Sequence, residues 1–248
     1  MRVGVYVDGY NLYYSGRRWC GRGTRGWKWL SPRVLVESLV AERINWPGAR
    51  ILRVVYCTAR VDAAVDPDAY VDQDVYLKAL QAAKAVDHIE FGQYVARAKQ
   101  VPLAFQPRRG RPQLVRPGGS QTLPTWLPLT VVSDGNGGQL VLATGLVREE
   151  KGSDVNVATH LLVDVLSGSV DAAVVVSNDS DLGLPLRIAR GYVPVGTVNP
   201  STGYLAGALQ GRAADGVGRH WWRQLAEKDF TAHQLPNPAG SFTRPLDW

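Results

Sequence analysis

Two apolar, β-branched runs that stop at acidic residues place the strongest constraint on the fold of this chain. Val3–Val7 is followed by Asp8-Gly9, and Val170–Ser177 is followed by Asn178-Asp179. A short apolar run bounded by polar, turn-forming residues is typical of a strand buried in a parallel sheet. The sequence therefore predicts two parallel strands, each with a carboxylate at its carboxyl end.

Strand and helix patterns alternate along most of the remaining chain. Further strands are predicted at Ile51–Cys57, Ile89–Tyr94 and Val193–Val198, and helices from Pro32, across Asp72–Val86, from Ser153 or Asp154, and across Leu182–Arg190. This alternation predicts an α/β domain with a mostly parallel sheet. No apolar run reaches the length of a membrane helix, and the chain opens on a strand pattern, so a cytoplasmic protein without a membrane partner is expected.

A third acidic residue, Asp154, opens the helix that follows Glu150–Ser153, where free N–H groups and the helix dipole favour an anion. Taken singly, each acid has a plainer interpretation: Asp8 in a turn, Asp154 as a helix cap, and Asp179 before a helix capped by Ser180. Ligands of open α/β sheets bind outside the carboxyl ends of the strands. We therefore expect the three acids to converge in one crevice.

Convergence would make that crevice a metal site. Gathered carboxylates raise one another's pKa unless a cation removes the repulsion, and all-oxygen ligands suit Mg²⁺ or Mn²⁺. Asp181 follows Asp179 by two residues and would face the same way in extended backbone. The predicted metal ligands are Asp8, Asp154, Asp179 and Asp181.

The acidic motifs also carry a resemblance to a known family. They are Asp8–Asn11 after the first strand, Glu150–Asn156 before a long helix, and Ser177–Leu182 after a later strand. In order and separation they resemble the NYN domain, a branch of the PIN-like nuclease superfamily, over about Met1 to Asn199. The resemblance implies a Rossmann-like αβα sandwich and, in active members, metal-dependent RNA cleavage. Asn178 stands where the family often has glycine, and asparagine tolerates unusual backbone angles.

Carried over residue by residue, the resemblance makes Asp8, Asp154 and Asp179 the metal-coordinating acids. It makes Asp181 a further acid of the cluster and Asn11 the polar companion that orients a water or a phosphate oxygen. The expected activity is that of a ribonuclease: metal-activated water hydrolyses a phosphodiester bond in single-stranded RNA, with no residue nucleophile. Lys151 or a loop arginine would neutralise the phosphate oxygens.

A basic insertion interrupts the α/β pattern at about residues 95–145. Phe91 to Ser133 contains no Asp or Glu but six basic residues, which equals the net charge of +6 of the whole chain. Asp134–Gly138 is a strong hairpin signal between two strand patterns. We expect this insertion to bind RNA phosphates and stack on a base, the alternative being a solvated, disordered loop. The predicted contacts are Arg108, Arg109, Arg111 and Trp126.

A second basic and aromatic cluster follows the first acidic motif. It runs from Arg17 and Arg18 to Trp27-Lys28-Trp29. Its nearness to Asp8 favours a substrate contact, and its alternation equally fits an edge strand without function.

We assign residues 1–211 to the NYN/PIN-like domain with its insertion, and residues 212–248 to a carboxyl-terminal extension and tail. Arg212–Arg223, with His220-Trp221-Trp222, has the composition of an interface and suits contact between copies of the chain. His160, six residues after Asp154, falls on the wrong helical face for the site and is expected to be structural. Cys57 is expected in the core, without a metal or catalytic role.

Two other functions fit parts of the pattern. A binding or scaffold module would keep the acidic pocket and hold RNA without useful cleavage. A phosphatase that forms an aspartyl-phosphate would also place Asp8 after the first strand, but such chemistry usually needs a second acid two residues on, where Tyr10 stands. Metal-dependent turnover that one carboxylate substitution abolishes would separate an enzyme from a scaffold.

Overall fold

The computed structural model describes residues 1–118 and 126–248. They divide into a larger unit, Met1–Tyr94 with Glu150–Trp248, and a smaller unit, Val95–Glu149. Within the described ranges, no helix combines the length and the apolar character that crossing a membrane requires.

The described residues of the two units form ten strands and six α-helices. In chain order they are β1 (Arg2–Asp8), α1 (Gly9–Cys20), α2 (Pro32–Ala41), β2 (Arg50–Ala59), α3 (Pro67–Ala82), β3 (His88–Pro102), β4 (Ala104–Phe105), β5 (Gln113–Leu114), β6 (Leu129–Ser133), β7 (Gln139–Lys151), α4 (Ser153–Leu166), β8 (Ala172–Val176), α5 (Gly183–Arg190), β9 (Val195–Asn199), β10 (Trp221–Gln224) and α6 (Glu227–Ala232). Short 3₁₀ turns lie at Ser180–Leu182 and Gly207–Leu209.

The sheet of the larger unit is parallel and has the order β3-β2-β1-β8-β9-β10. Numbered by appearance within that unit, the order is 3-2-1-4-5-6, the doubly wound arrangement. The direction of strand addition reverses between β1 and β8. A crevice forms at the carboxyl ends of two such strands, because the connections leave in opposite directions.

Helices cover both faces of this sheet and define two cores. One core joins Leu12 of α1, Leu35 of α2 and Leu80 of α3 to inward residues of β1 and β2. The other joins Leu161 of α4 and Leu186 of α5 to the opposite face of the same strands. The predicted α/β domain with a mostly parallel, helix-flanked sheet is confirmed.

Local signals located several helix boundaries and missed others. The helix predicted from Pro32 is confirmed, with the Ser31 hydroxyl accepting from the Val34 N–H at 3.4 Å. Helix α3 begins before the predicted Asp72, because Asp66 caps it and Pro67 occupies its first turn. Helix α1 was not predicted. Its buried face consists mainly of small residues around Leu12, so the sequence shows no apolar helical period.

Residues 212–248, which the sequence analysis assigned to an extension and tail, belong to the larger unit. Strand β10 pairs parallel with β9 and extends the sheet beyond it. The Trp248 indole packs edge-to-face on Trp29, with 6.2 Å between ring centroids, and donates to the Asp72 carboxylate at 2.9 Å. Buried apolar side chains anchor the segment although they follow no helical or strand period; they are Phe230, Leu235, Ala239 and Trp248.

The smaller unit contains the predicted hairpin. Strands β6 and β7 pair antiparallel with Ser133 opposite Gln139, and the Asp134 carboxylate accepts from backbone N–H groups of the turn. Lys99 and Arg116 form ion pairs with Glu149 and Asp134, which are the first two acids that follow the acid-free stretch in the sequence. The predicted contacts Arg108, Arg109, Arg111 and Trp126 are exposed.

Candidate functional site

Asp8 lies where the strand order reverses, at the carboxyl end of β1. It is 5% exposed, and its carboxylate accepts the Asn11 N–H and the Ser177 hydroxyl, each at 2.9 Å. The Asn11 contact caps α1, which follows β1 without a loop. Ser177 in turn accepts the Asp179 N–H at 3.1 Å. The hydroxyl of Ser177 therefore joins Asp8 to the segment that follows β8.

Two asparagines fix the geometry of that segment. The Asn11 side-chain oxygen accepts the Asn178 N–H at 3.2 Å. The Asn178 amide donates to the Ser201 hydroxyl at 2.9 Å and accepts the Ala206 N–H at 2.8 Å. The Asn178 side chain thus holds a neighbouring loop through two hydrogen bonds, which glycine at this position could not form.

Glu150 is a carboxylate of the crevice that the sequence prediction omitted. Its Oε1 accepts the Ser153 hydroxyl at 2.7 Å and the Ser153 N–H at 3.2 Å, at the start of α4. Gly92 leaves room for this contact, since a Cβ there would lie 2.6 Å from Glu150 Oε1 and 2.5 Å from the Lys151 carbonyl oxygen. The motif Glu150–Asn156 was visible in the sequence, but the continuation of the second hairpin strand, β7, as far as Glu150 was not predicted.

The charges of the crevice act on one another. Burial raises the pKa of Asp8 to about 6, against the lowering effect of its hydrogen bonds from Asn11 and Ser177, and the charges of Asp179 and Glu150 raise it further. Within the described residues, these acids do not form a group of three whose ligand oxygens lie within 4.8 Å of one another. The crevice is therefore an acidic cluster with space between its carboxylates.

Helix α4 begins at Ser153, as the sequence predicted, whereas Asp181 lies in a different conformation from the one expected. Asp154 lies half-buried in the first turn of α4, and Gly152, not Asp154, is the residue before the helix, with a φ of 99°. The Asp181 N–H donates to Asp179 Oδ1 at 3.0 Å within a 3₁₀ turn. The expectation that Asp179 and Asp181 face the same way in extended backbone is wrong, because Asp179 caps that turn. Asp181 is exposed.

The basic cluster after Asp8 divides between surface and core. Arg17 and Arg18 lie in the last turn of α1, with the Arg17 guanidinium 5.9 Å from the Tyr14 ring centroid. Trp27 and Trp29 are buried in the core, so a substrate contact by these rings is excluded. Lys151 is the exposed last residue of β7.

Three partly exposed tyrosines, which the sequence prediction omitted, lie beside the acids. The Tyr10 and Tyr14 ring centroids are 4.5 Å apart. Burial raises the pKa values of Tyr10 and Tyr94, and the charge of Glu150 raises them further, which places both phenols near that carboxylate. Aromatic side chains therefore lie next to the acidic crevice.

A second cluster of ionisable side chains lies on β3 and α4. Glu90 Oε2 is 2.9 Å from His88 Nε2 and 3.1 Å from His160 Nε2. His160 is outside the acidic crevice, as its helical position indicated, but it has charged neighbours that the sequence prediction did not give it. His88-x-Glu90 on a strand was the visible signal, and the third member lies 70 residues further along the chain.

Arg53 links this histidine cluster to the buried part of α4. Its Nη2 donates to His160 Nδ1 at 3.3 Å, and its Nη1 lies 2.7 and 2.9 Å from the two oxygens of Asp164. Asp164 is 4% exposed and also accepts the Tyr6 hydroxyl at 2.9 Å.

A cavity of about 310 Å³ lies beside α5, β9 and β10. The Arg190 guanidinium borders it and donates to the carbonyl oxygens of Leu209 and Gln210 and to the Thr197 hydroxyl, at 2.8, 3.2 and 3.3 Å. The lining includes Leu205, Leu209, His220, Trp221 and Trp222.

Comparisons with known proteins give one sequence relative and one solved structure. No family model matches the chain. It is 27% identical to 6-hydroxy-3-succinoylpyridine 3-monooxygenase HspA of Pseudomonas putida, over 95% of this chain and 70% of the relative. A protein of unknown function from Vibrio parahaemolyticus is similar at 14% identity and a TM-score of 0.45, over 92% of this chain and 94% of that one. The sequence similarity extends over both units of the chain.

Proposed function

We propose that the chain is a metal-dependent ribonuclease of PIN-like fold, which hydrolyses phosphodiester bonds at the crevice between β1 and β8. One observation carries the proposal: the buried Asp8 carboxylate lies at the reversal of the strand order and is joined through Ser177 to Asp179. Glu150 adds a third charge close enough to act on Asp8. Doubly wound sheets bind their ligands at this reversal, and gathered carboxylates favour a cation.

The donor set fits Mg²⁺ or Mn²⁺. Asp8 and Asp179 would hold the ion, with Glu150 and Asp154 of the α4 amino end beside them. The carboxylates are spread more widely than a compact cage, which suits Mg²⁺ because it keeps several waters and uses only one or two carboxylates. When bound, the ion would lower the pKa of a water molecule and stabilise negative charge on the phosphate.

The surrounding residues would orient the carboxylates and bind RNA. Asn11 and Ser177 hold Asp8 in one orientation, so that it meets the ion without rearrangement. The partly exposed rings of Tyr10, Tyr14 and Tyr94 can stack on unpaired bases, which favours single-stranded RNA over a duplex. Phosphate contacts at the crevice would come from Lys151, Arg17 and Arg18, and the exposed arginines of the smaller unit would bind RNA phosphates independently.

The deciding experiment replaces Asp179 by Asn and measures Mn²⁺-dependent cleavage of a fluorescent single-stranded RNA. We expect the rate to fall about 100-fold or more, which corresponds to about 3 kcal/mol of transition-state stabilisation. The fold should be retained, since asparagine can still accept the Asp181 N–H.

Asp68→Asn, an exposed acid in the first turn of α3, is the matched control and should cleave like the wild type. Equal rates for Asp179→Asn and the wild type would refute the nuclease proposal. RNA binding by a wild-type chain that shows no metal-dependent cleavage would instead support the scaffold function.

The sequence similarity favours a second candidate, monooxygenation of a hydroxylated pyridine. The Pseudomonas putida relative is named for that reaction, and the match extends over 95% of this chain. A planar ring with a carboxylate would suit the cavity bordered by Trp221, Trp222 and Arg190, whose volume of about 310 Å³ is at the lower end for a small-molecule site.

Oxygen consumption separates the two candidates. A monooxygenase inserts one atom of O₂ and reduces the other to water with a two-electron donor. If the chain consumes O₂ when 6-hydroxy-3-succinoylpyridine and a two-electron donor are added, and does not cleave RNA, the second candidate replaces the first.

A further inference from the structure

The histidine cluster, defined as His88, Glu90 and His160, brings three metal-binding side chains together from two elements. His88 and Glu90 lie two residues apart on β3 and therefore point to the same face of the sheet. His160 is on α4, whose apolar side chains pack on that face. One ligand atom from each of the three side chains lies within 4.8 Å of the others.

The distances within the cluster are those of ligands around one ion. Two ligand atoms about 2.1 Å from a metal lie about 3.0 Å apart in octahedral geometry and about 3.4 Å apart in tetrahedral geometry, so a small shift of the side chains would admit an ion. Glu90 Oε2 lies 2.9 Å from His88 Nε2 and 3.1 Å from His160 Nε2. All three side chains are partly exposed, so water could fill further coordination positions.

We propose that the histidine cluster is a site for a first-row transition-metal dication, with Zn²⁺ as its probe. Two imidazoles and one carboxylate suit Zn²⁺, Co²⁺, Ni²⁺ or Fe²⁺, whereas Mg²⁺ prefers oxygen ligands. The proposal depends on neither candidate function.

The contact of Arg53 with His160 fixes the position of the imidazole proton, and this position must change when a metal binds. A guanidinium can only donate, so its contact with His160 Nδ1 places the imidazole proton on Nε2, where it faces Glu90. Ligation through Nε2 displaces this proton and makes Nδ1 a donor. The Arg53 contact with His160 is then released, while its contact with Asp164 holds Arg53 in place.

The histidine cluster and the acidic crevice are separate sites. Asp8 and Glu90 both pair with Cys57 of β2, so they lie on one row of the sheet with a strand between them. At the usual strand spacing, their Cα atoms are about 10 Å apart, and Asp8 is not among the side chains whose ligand atoms lie within 4.8 Å of one another in the histidine cluster.

The test is a Zn²⁺ titration of the full chain after removal of metals, in the presence of excess Mg²⁺ to occupy oxygen sites. We expect the wild type to bind one Zn²⁺ per chain. His160→Ala and His88→Asn should each weaken binding about 100-fold or more, because loss of a ligand exceeds the 10- to 100-fold cost of losing an outer partner. A Co²⁺ titration followed by visible absorption reports nitrogen ligation directly.

Two controls separate this site from the rest of the molecule. His233→Ala removes a histidine outside the histidine cluster, and Asp179→Asn disables the acidic crevice; both should bind Zn²⁺ like the wild type. His88 is the most exposed member, so His88→Asn remains informative if His160→Ala does not fold. Absence of Zn²⁺ uptake by the wild type, or unchanged affinity in His88→Asn, would reduce the cluster to hydrogen-bonded surface residues and overturn the proposal.

Discussion

Asp8 and Glu90 lie on one row of the sheet, yet their surroundings shift the pKa values of their carboxylates in opposite directions. Burial raises the pKa of Asp8 to about 6, whereas hydrogen bonds from His88 and His160 lower the pKa of Glu90. Cys57 lies between them, and burial with both charges raises the pKa of its thiol to about 12. Strand position therefore does not decide the charge of a carboxylate; solvent access and nearby donors do.

The two regions also differ in their donor atoms, and therefore in the metal ion proposed for each. The acidic crevice offers oxygen atoms only and accumulates like charges, which favours a hard ion such as Mg²⁺. In the histidine cluster, one carboxylate has an imidazole nitrogen of His88 and one of His160 as hydrogen-bond partners, and these contacts stabilise its ionised form. Substitutions that neutralise one charge should consequently have opposite effects on stability in the two regions.

The largest expected change in stability follows from removing Arg53, the cation that pairs with the buried Asp164 carboxylate beside the histidine cluster. In Arg53→Ala, Asp164 keeps the Tyr6 hydroxyl but loses its cation while 4% exposed. We expect the free energy of unfolding at pH 7 to fall by about 3 kcal/mol, the lower end for breaking a buried pair, because Arg53 is itself about one-third exposed. Urea denaturation measures the change. Arg50→Ala, an exposed site on the same strand, should change stability by less than about 0.5 kcal/mol; equal losses would show that Arg53 compensates no buried charge.

Neutralising Asp8 should stabilise the metal-free chain. The pKa of Asp8 is higher in the folded state than its ordinary value of 3.8, so ionisation costs folding free energy above pH 6, and that cost disappears below pH 3.8. Asp8→Asn should therefore raise the free energy of unfolding by up to about 3 kcal/mol at pH 8 and by little at pH 4. Denaturation in a chelator at both pH values is the measurement. A pH-independent difference would mean that the Asp8 charge is compensated like that of Glu90.

Neutralising Glu90 should have the opposite and smallest effect. A lowered pKa means that the ionised form stabilises the folded state above the ordinary value of 4.5, and that this contribution is lost as the pH falls through the folded pKa. Glu90→Gln should lower the free energy of unfolding by less than about 1 kcal/mol, since the side chains are partly exposed. Urea denaturation at pH 7, above the ordinary glutamate value of 4.5, measures the loss. Stabilisation by Glu90→Gln at that pH would contradict the contrast.

The sequence by itself determined the features that depend on neighbouring residues. The apolar run Val3–Val7 with its Asp-Gly end specified a buried parallel strand and an acid at the rim. Ser31-Pro32 specified a helix start, and Asp134–Gly138 specified a hairpin turn. In each case a cap, a breaker or a short hydrophobic run acts within a few residues, so no knowledge of the fold was needed.

Only the tertiary structure decided which distant side chains meet. Glu150 reaches the crevice because β7 continues to Lys151, past the point where its apolar pattern stops. Glu90 meets His160 across 70 residues because α4, which packs against β1 and β2, places His160 beside the neighbouring strand β3. Trp248 is buried because it packs on Trp29 and donates a hydrogen bond to Asp72. Such contacts depend on how whole elements pack, and the periodicity of one element does not specify its neighbour.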